Sequence, residues 1–179
     1  LAGTISMTAV GGVADFSSKN LNITQAGLNK IITASSSGLV SATTTFEITN
    51  STPSSLSFSA QPTNTVAAQS ISPSIQVTLK DAYSNVVTTE NRVISLTFGN
   101  NAGSGTLAGT LSGTTNNGIV SFNDISVNKV GTGYTLTASS SGSGVSSVTS
   151  SSFNITPGAA NKLYFTTQPS SSTLASTAF

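Results

Sequence analysis

The sequence predicts an all-β chain made of tandem β-sandwich repeats, and three observations lead to that prediction. First, a seven-residue stretch occurs twice: LSFSAQP at 56–62 returns as LYFTTQP at 163–169, 107 residues later. Second, apolar and polar residues alternate along many short segments, as they do in half-buried strands. Third, no segment has a helical apolar period long enough to count as a helix. We therefore expect a repeat with a period near 107 residues.

The residues before the first copy of this stretch also match those before the second copy. The matching pairs are LAGTIS at 1–6 with LAGTLS at 107–112, ITASSSG at 32–38 with LTASSSG at 136–142, and FEIT at 46–49 with FNIT at 153–156. The offset changes slightly between pairs, which indicates small insertions of the kind that fall in loops. The predicted organisation is the C-terminal part of one repeat (1–49), a complete repeat (50–157) and the N-terminal part of the next (158–179).

Strands of the complete repeat follow from alternating apolar faces. The clearest faces are Ile75, Val77 and Leu79; Ile94, Leu96 and Phe98; and Tyr134, Leu136 and Ala138. KDAYSN at 80–85 predicts a turn, because Asp and Asn side chains can bond their own backbone. Asn116-Asn117-Gly118 predicts a hairpin between 111–115 and 119–122, because Asn-Gly supplies positive φ. Seven to nine short strands in about 100 residues are typical of an immunoglobulin-like sandwich.

Four motifs carry a resemblance to a known family. They are VTLKDAYSNVV at 77–87, GSGTLAGT at 103–110, NGIVSF at 117–122 and VGTGYTLTASSSG at 130–142. Together they resemble tandem bacterial Ig-like repeats related to the invasin- and intimin-type modules of surface adhesins. The resemblance implies an exported bacterial protein whose repeats space a distal binding domain from the cell. Ser84 stands where the family often has a turn glycine, so a different turn type is expected there.

Composition excludes several classes of function. Only 6% of residues are charged, and the six basic residues are scattered, whereas nucleic-acid binding needs a clustered basic surface. No apolar run approaches the roughly 18 residues of a membrane helix, so no membrane insertion is expected in this segment. Histidine is absent, which removes Ser-His triads and histidine metal ligands. Cysteine is also absent, which is compatible with export. We expect no enzymatic activity and no cofactor.

The five acidic residues do not form a metal-binding pattern. Asp15 and Glu47 are replaced by Ser121 and Asn154 in the matching positions of the next copy, which argues against a catalytic pair. Calcium prefers six to eight oxygen ligands with several carboxylates close together, and no two acidic residues are close in sequence. Asp81 is the best single ligand, but an aspartate in such a turn more often caps its own turn. No metal site is predicted.

A few residues are candidates for modification or contact. Asn22, Asn50 and Asn154 each begin an N-glycosylation acceptor sequence, although in a bacterial protein such asparagines are usually unmodified. Tyr83 lies in the predicted 80–85 turn and is the candidate for a loop contact with a surface glycan. Tyr134 and Tyr164 lie in strand patterns and are expected to be packed.

Together, these expectations predict that the chain is a non-catalytic structural segment of a stalk or filament. It would lie at the cell surface or outside the cell and have a spacing or adhesion role. Its partners are neighbouring repeats of the same polypeptide, or like subunits in a fibre. The alternative is an adhesin module that binds a glycan or host protein through loop ends, near 99–105 or Tyr83. The links TNSTPS at 49–54 and TPGAANK at 156–162 are short and contain proline, which favours a semi-rigid rod.

The partial repeats at both ends leave two alternatives. Either the sequence is a window from a continuous polymer, or a strand of one copy completes the sandwich of its neighbour, as in donor-strand filaments. The first is favoured, because the two partial repeats together still lack the region that matches 73–106.

Overall fold

The computed structural model describes residues 1–169, 172 and 175. Within these residues the chain forms strands and no helix, so the all-β prediction is confirmed. Accordingly, the described part has no helix long and apolar enough to cross a membrane. The strands are β1 (Gly27–Ala34), β2 (Ala42–Ile48), β3 (Pro53–Ala60), β4 (Thr65–Val66), β5 (Ile75–Asp81), β6 (Val93–Asn100), β7 (Leu107–Ala108), β8 (Ser112–Thr114), β9 (Ile119–Phe122), β10 (Ser126–Val127), β11 (Gly131–Ser140), β12 (Val148–Thr149) and β13 (Phe153–Thr156).

Strands β3 to β13 build two main sheets, and we call this part the central unit. One sheet has three strands in the order β3-β5-β9, and the other has the order β4-β13-β11-β6-β8 with β12 also paired to β11. A short β7–β10 ladder lies beside them. All of these pairs are antiparallel except β4–β13, which is parallel. The two main sheets share one core, so their arrangement is sandwich-like.

The core of the central unit comes from the alternating residues identified in the sequence. Ile75, Val77 and Leu79 on β5 belong to one core cluster with Tyr134, Leu136 and Ala138 on β11, and all six side chains are buried. Both sets were predicted from alternation alone, and both are confirmed. The Tyr134 ring lies 5.6 Å from the Phe98 ring and 5.9 Å from the Phe153 ring, between ring centroids. Its hydroxyl donates a hydrogen bond to the Lys129 carbonyl at 2.9 Å, so its one polar group is satisfied.

Strands β1 and β2 form a separate hairpin, which we call the leading hairpin. Its pairing repeats that of β11 with β13. Gly27 pairs with Ile48 and Lys30 with Phe46, just as Gly131 pairs with Ile155 and Tyr134 with Phe153. Both ladders have a register shift at the same place, where Asn29 and Gly133 have φ of +53° and +87°. The two matching sequence segments therefore fold into matching backbone.

Residues 1–49 have no buried side chain, unlike their counterparts in the central unit. Leu28 and Ile31 of β1 are 68% and 64% exposed. A groove of about 390 Å³ lies between 1–21 and β1, lined by apolar side chains that include Ile5, Phe16 and Ile32. The core of the described chain thus lies in the central unit. The division into 1–49, 50–157 and 158–179 stays a prediction.

The Asn-Gly turn forms as predicted, but the hairpin built on it does not. Asn117 and Gly118 have φ of +47° and +77°, and the backbone groups of Asn116 and Ile119 bond each other across the turn. However, β8 pairs with β6 while β9 pairs with β5, so the turn carries the chain from one sheet to the other. The reason is local: the Gly118 carbonyl accepts from the Leu79 amide, and Ile119 pairs with Thr78.

The stretch after β13 differs from its sequence prediction. Leu163 is 99% exposed and Tyr164 is 79% exposed, so the expectation that Tyr164 is packed in a strand is wrong. The matching stretch at 56–62 is covered because β3 pairs with β5, whereas 163–169 pairs with no described strand. Of the predicted unit 158–179, residues 170, 171, 173, 174 and 176–179 lie outside the described part.

Candidate functional site: the link between the leading hairpin and the central unit

The link between β2 and β3 is held by the side chain of Asn50. Its Oδ1 accepts hydrogen bonds from the Thr88 amide at 3.1 Å and the Thr88 hydroxyl at 3.3 Å. Its Nδ2 donates to the Thr89 hydroxyl at 2.9 Å and to the Ser51 carbonyl at 3.0 Å. Both ends of this amide are therefore used, and the link is tied to a segment 38 residues further along the chain.

Asp81, at the end of β5, is bonded both to its own turn and to the link. Oδ1 accepts from the backbone amides of Tyr83 and Asn85, each at 2.9 Å. Oδ2 accepts from the Ser51 amide and from Asn85 Nδ2, also at 2.9 Å. The residue is only 2% exposed. The turn-capping role expected for this aspartate is present, and a contact with the link is added to it.

Asn85 connects this turn to the segment just before β1. Its Oδ1 accepts from the Ala26 amide at 2.9 Å, and its Nδ2 donates to the Thr24 carbonyl at 2.7 Å. One side-chain amide thus pairs with a donor and an acceptor two residues apart on one backbone, as a neighbouring strand would. Because the same Nδ2 also bonds Asp81, the aspartate fixes the orientation of the asparagine. The chain before β1 is held through this pair.

The charge on Asp81 is stabilised where it lies. Burial by itself would raise the pKa of this carboxyl, but hydrogen bonds from the Asn85 side chain and from the backbone amides of Ser51, Asn85 and Tyr83 outweigh it. The net result is a pKa below the ordinary value. Asp81 is therefore ionised at neutral pH and accepts four charge-assisted hydrogen bonds.

A cavity of about 480 Å³ lies at this link, between the leading hairpin and the segment 85–89. Its lining combines apolar side chains (Leu28, Ile48 and Val86) with amide and hydroxyl side chains such as that of Asn50. Glu47 is the single charged residue in that lining. Across the described part of the chain, no three His, Cys, Asp or Glu side chains are grouped to hold a metal ion. The site is built to hold two segments together by hydrogen bonds to backbone and side chains.

Ser84 adopts the backbone conformation of a turn glycine. Its φ is +67°, in the left-handed region that glycine enters without steric cost. Serine thus takes a conformation that glycine would adopt here, and the expectation of a different turn type from the family's stays a prediction. The hydrogen bonds of Asp81 to the amides of Tyr83 and Asn85, on either side of Ser84, hold this conformation in place.

Substitution of Ser84 by glycine is expected to stabilise the protein. A non-glycine residue in the left-handed region costs about 1 kcal/mol, and glycine removes that cost while adding freedom to the unfolded chain. We expect Ser84→Gly to raise the free energy of unfolding by about 0.5 kcal/mol. Ser95→Gly, in the middle of β6, is the control and should lower it. Urea denaturation followed by circular dichroism measures both, and a loss of stability in Ser84→Gly would contradict the argument.

The candidate residues from the sequence are spread over the molecule. Tyr83 is 59% exposed in the turn that contacts the link, and Asn50 is in the link itself. Asn22 is exposed near the start of the chain, where its Nδ2 donates to the Asn20 carbonyl. Asn154 is half-buried on β13, where its Oδ1 accepts from the Gly133 amide. The structure therefore brings only Tyr83 and Asn50 to one region. Glycosylation at the three asparagines stays a prediction.

The structural roles of Asn50 and Asn85 were missed by the sequence reasoning. Asn85 was assigned only to its own turn, yet its partners Thr24 and Ala26 are about 60 residues earlier. One signal was available for Asn50: the matching position in the following link is Pro157, so the amide is particular to the first link.

Comparison with known proteins finds no matching family model and no matching curated protein. Among solved structures, the chain is similar to a glycosyl hydrolase family 2 member from Bacteroides cellulosilyticus, with 14% sequence identity and a TM-score of 0.44. The match covers 69% of this chain and 17% of that protein, so the chain spans about a sixth of its length. This likeness is too distant to assign a fold family or an activity.

Proposed function

We propose that this chain is a non-catalytic structural segment of a bacterial cell-surface or extracellular repeat protein. In this proposal, tandem immunoglobulin-like β-sandwiches related to invasin- and intimin-type modules form a stalk or filament with a spacing or adhesion role. Its partners are the neighbouring repeats of the same polypeptide, or like subunits in a fibre. The matching registers of β1–β2 and β11–β13 support the tandem arrangement.

The observation that carries the proposal is the hydrogen-bonded link. A spacer transmits position only if successive units keep a fixed orientation, and flexible linkers lose that orientation within a few residues. Here Asn85 holds the chain before β1, Asp81 holds the Ser51 amide, and Asn50 holds Thr88. Each bond joins the link, or the segment just before β1, to the central unit. This arrangement suits a rod whose length grows with the number of repeats.

Distances between spin labels test this proposal. The chain has no cysteine, so Thr44→Cys on β2 and Thr114→Cys on β8 give one labelled pair at two exposed positions. We expect a narrow distance distribution in the otherwise unchanged chain, and a broad one after Asn85→Ala removes the bonds to Thr24 and Ala26. Asn123→Ala, at an exposed position between β9 and β10, is the matched control and should leave it narrow. A broad distribution in the unchanged chain would contradict a spacing role.

The second candidate is a binding module, and the exposure of Tyr83 is the observation that favours it. Exposed aromatic rings are the usual contact surface for sugars and protein partners. The loop at 101–105 is a weaker candidate for ligand contact, because its side-chain hydrogen bonds are made within the loop. The Asn101 amide bonds Gly105 through both its oxygen and its nitrogen. A glycan array probed with the whole chain separates the two candidates. Binding that is lost in Tyr83→Ala would favour the binding module, and no binding is expected of a spacer.

A further inference from the structure

Residues 1–51 contact the central unit through hydrogen bonds to three backbone groups, and we call this contact the first junction. Asn85 donates to the Thr24 carbonyl at 2.7 Å and accepts from the Ala26 amide at 2.9 Å. Asp81 accepts from the Ser51 amide at 2.9 Å. All three partners are main-chain atoms. Many different side chains can therefore stand at 24, 26 and 51, but proline would remove the N–H needed at 26 or 51.

The central unit has the same three backbone groups at its opposite end. The registers of the two hairpin ladders align position 131 with position 27, so Asn128 and Val130 stand at the positions of 24 and 26. After β13, Gly158 stands at the position of 51, at the offset of 107. Neither Val130 nor Gly158 is proline, so the carbonyl and both N–H groups are present.

The two segments that carry these groups follow the same course. Before them, Asn22 bridges Ala2 and Ser126 pairs with Ala108, both in the antiparallel sense. After them, the two hairpin ladders share one register. Because each segment is fixed at both ends by equivalent pairs, the carbonyl and the amide two residues later have the same spacing and direction in both.

This end of the central unit is open to a partner. Asn128 is exposed, and Val130 is 51% exposed. Within the described part of the chain, the Asn128 carbonyl and the amides of Val130 and Gly158 have no hydrogen-bond partner. Gly158 lies against Val66, which is 38% exposed. Two apolar side chains therefore lie beside the three polar groups, and a partner that bonds these groups would also cover apolar surface.

We infer that Asn128, Val130 and Gly158 form a docking surface for the turn of a following unit. That turn would carry an aspartate and an asparagine in the roles of Asp81 and Asn85. The inference rests on the proposed function, in which repeats follow one another and the matching turn lies past residue 179. The asparagine bonds the Asn128 carbonyl and the Val130 amide, and the aspartate bonds the Gly158 amide. Because the bonded groups are main-chain atoms, junctions with different side chains keep one geometry along the stalk.

One part of the first junction is not carried over. Pro157 stands at the position of Asn50, and proline has neither a side-chain amide nor a backbone N–H. The bonds of Asn50 to Thr88 and Thr89 therefore belong to the first junction alone. The aspartate and asparagine of the turn are the groups that the two junctions share.

The first test moves the residues of the docking surface into the first junction of the full chain. The variant carries Thr24→Asn, Gln25→Lys, Ala26→Val and Ser51→Gly, which reproduce 128–130 and 158. We expect the distance distribution between labels at Thr44→Cys and Thr114→Cys to stay as narrow as in the otherwise unchanged chain. Ala26→Pro is the control and should broaden it, because it removes the N–H that bonds Asn85.

The outcomes of this test separate the inference from the stalk proposal. A distribution as broad as that of Ala26→Pro would overturn the inference and leave the stalk standing. A broad distribution already in the unchanged chain would count against the stalk itself, and the inference would fall with it. Slow exchange of the Leu136 amide in each variant shows that the central unit is folded.

The second test supplies the partner and does not depend on the first variant folding. Residues 1–162 followed by 56–179 give the full chain with one repeat added, because Leu163 matches Leu56. In this longer chain, exchange of the Val130 and Gly158 amides of the first central unit should slow by about tenfold or more. Asn85→Ala in the added unit should restore fast exchange at Val130, whereas Asn123→Ala there should not. Unchanged exchange at both amides, with the core amides of both units protected, would overturn the inference.

Discussion

Replacing Leu136 by alanine is expected to lower the free energy of unfolding by about 3–5 kcal/mol. Leu136 lies on β11 at the centre of the core and is fully buried. Truncation of such a leucine removes its transfer free energy and leaves a cavity that neighbouring side chains fill only partly. A loss of this size is a large share of the 5–15 kcal/mol that stabilises an ordinary domain. Urea denaturation followed by circular dichroism measures it.

The matched control is Ile32→Ala, at the same position of the preceding repeat. Ile32 is half-exposed on β1, beside the open groove of residues 1–49. We expect a loss of about 1 kcal/mol or less, because little apolar surface is buried there. Equal losses at Leu136 and Ile32 would show that residues 1–49 have a packed core in solution, contrary to the structure.

Replacing Asp81 by alanine is expected to destabilise the turn and the link together, by about 2–4 kcal/mol at neutral pH. The amides of Ser51, Tyr83 and Asn85 lose their common acceptor in a nearly buried position. Asp124→Ala is the control, since its carboxylate bonds only Thr110, and a clearly smaller loss is expected there because water can replace those bonds. The measurement is again urea denaturation, and a loss no larger than that of Asp124→Ala would contradict the role given to Asp81.

The stabilisation that Asp81 provides should decrease as the pH falls. Its pKa is lowered on folding, so its stabilisation is complete above the ordinary carboxyl pKa of about 4. It is lost as the pH falls through the lower pKa of the folded state, because the unfolded chain binds the proton first. The difference between the unchanged chain and Asp81→Ala should therefore be constant from pH 7 to about 5 and shrink below about 4. A difference that grows on acidification would contradict this sign.

Alternation along the sequence was enough to predict the core of the central unit. In Ile75-Val77-Leu79 and in Tyr134-Leu136-Ala138, every second side chain is apolar, and each strand has one face on the core. The partners of a strand were harder to predict. Asn117-Gly118 makes a tight turn whether β9 pairs with β8 or with another strand. In the structure β9 pairs with β5, because β5 presents a free edge to it. Local sequence determines the turn, whereas the packing of the two sheets determines the pairing.

The link shows the same division between local and distant causes. The bonds from Asp81 to the amides of Tyr83 and Asn85 span two and four residues, so a turn rule predicts them. The bonds from Asn85 to Thr24 and Ala26 depend on where the leading hairpin lies after folding. No pattern within 80–85 specifies that position. The prediction that Tyr164 is packed was wrong for a related reason. An alternating strand sequence becomes buried only where another strand packs against it.

The leading hairpin and the central unit should keep one fixed orientation through the link. Residual dipolar couplings of backbone N–H bonds measure that orientation, because two bodies that move independently align independently. We expect one alignment tensor to fit the couplings of 27–48 and of 53–156 together. Two tensors of clearly different magnitude would contradict it, and would show that the contacts of Asn50, Asp81 and Asn85 do not hold the link in solution.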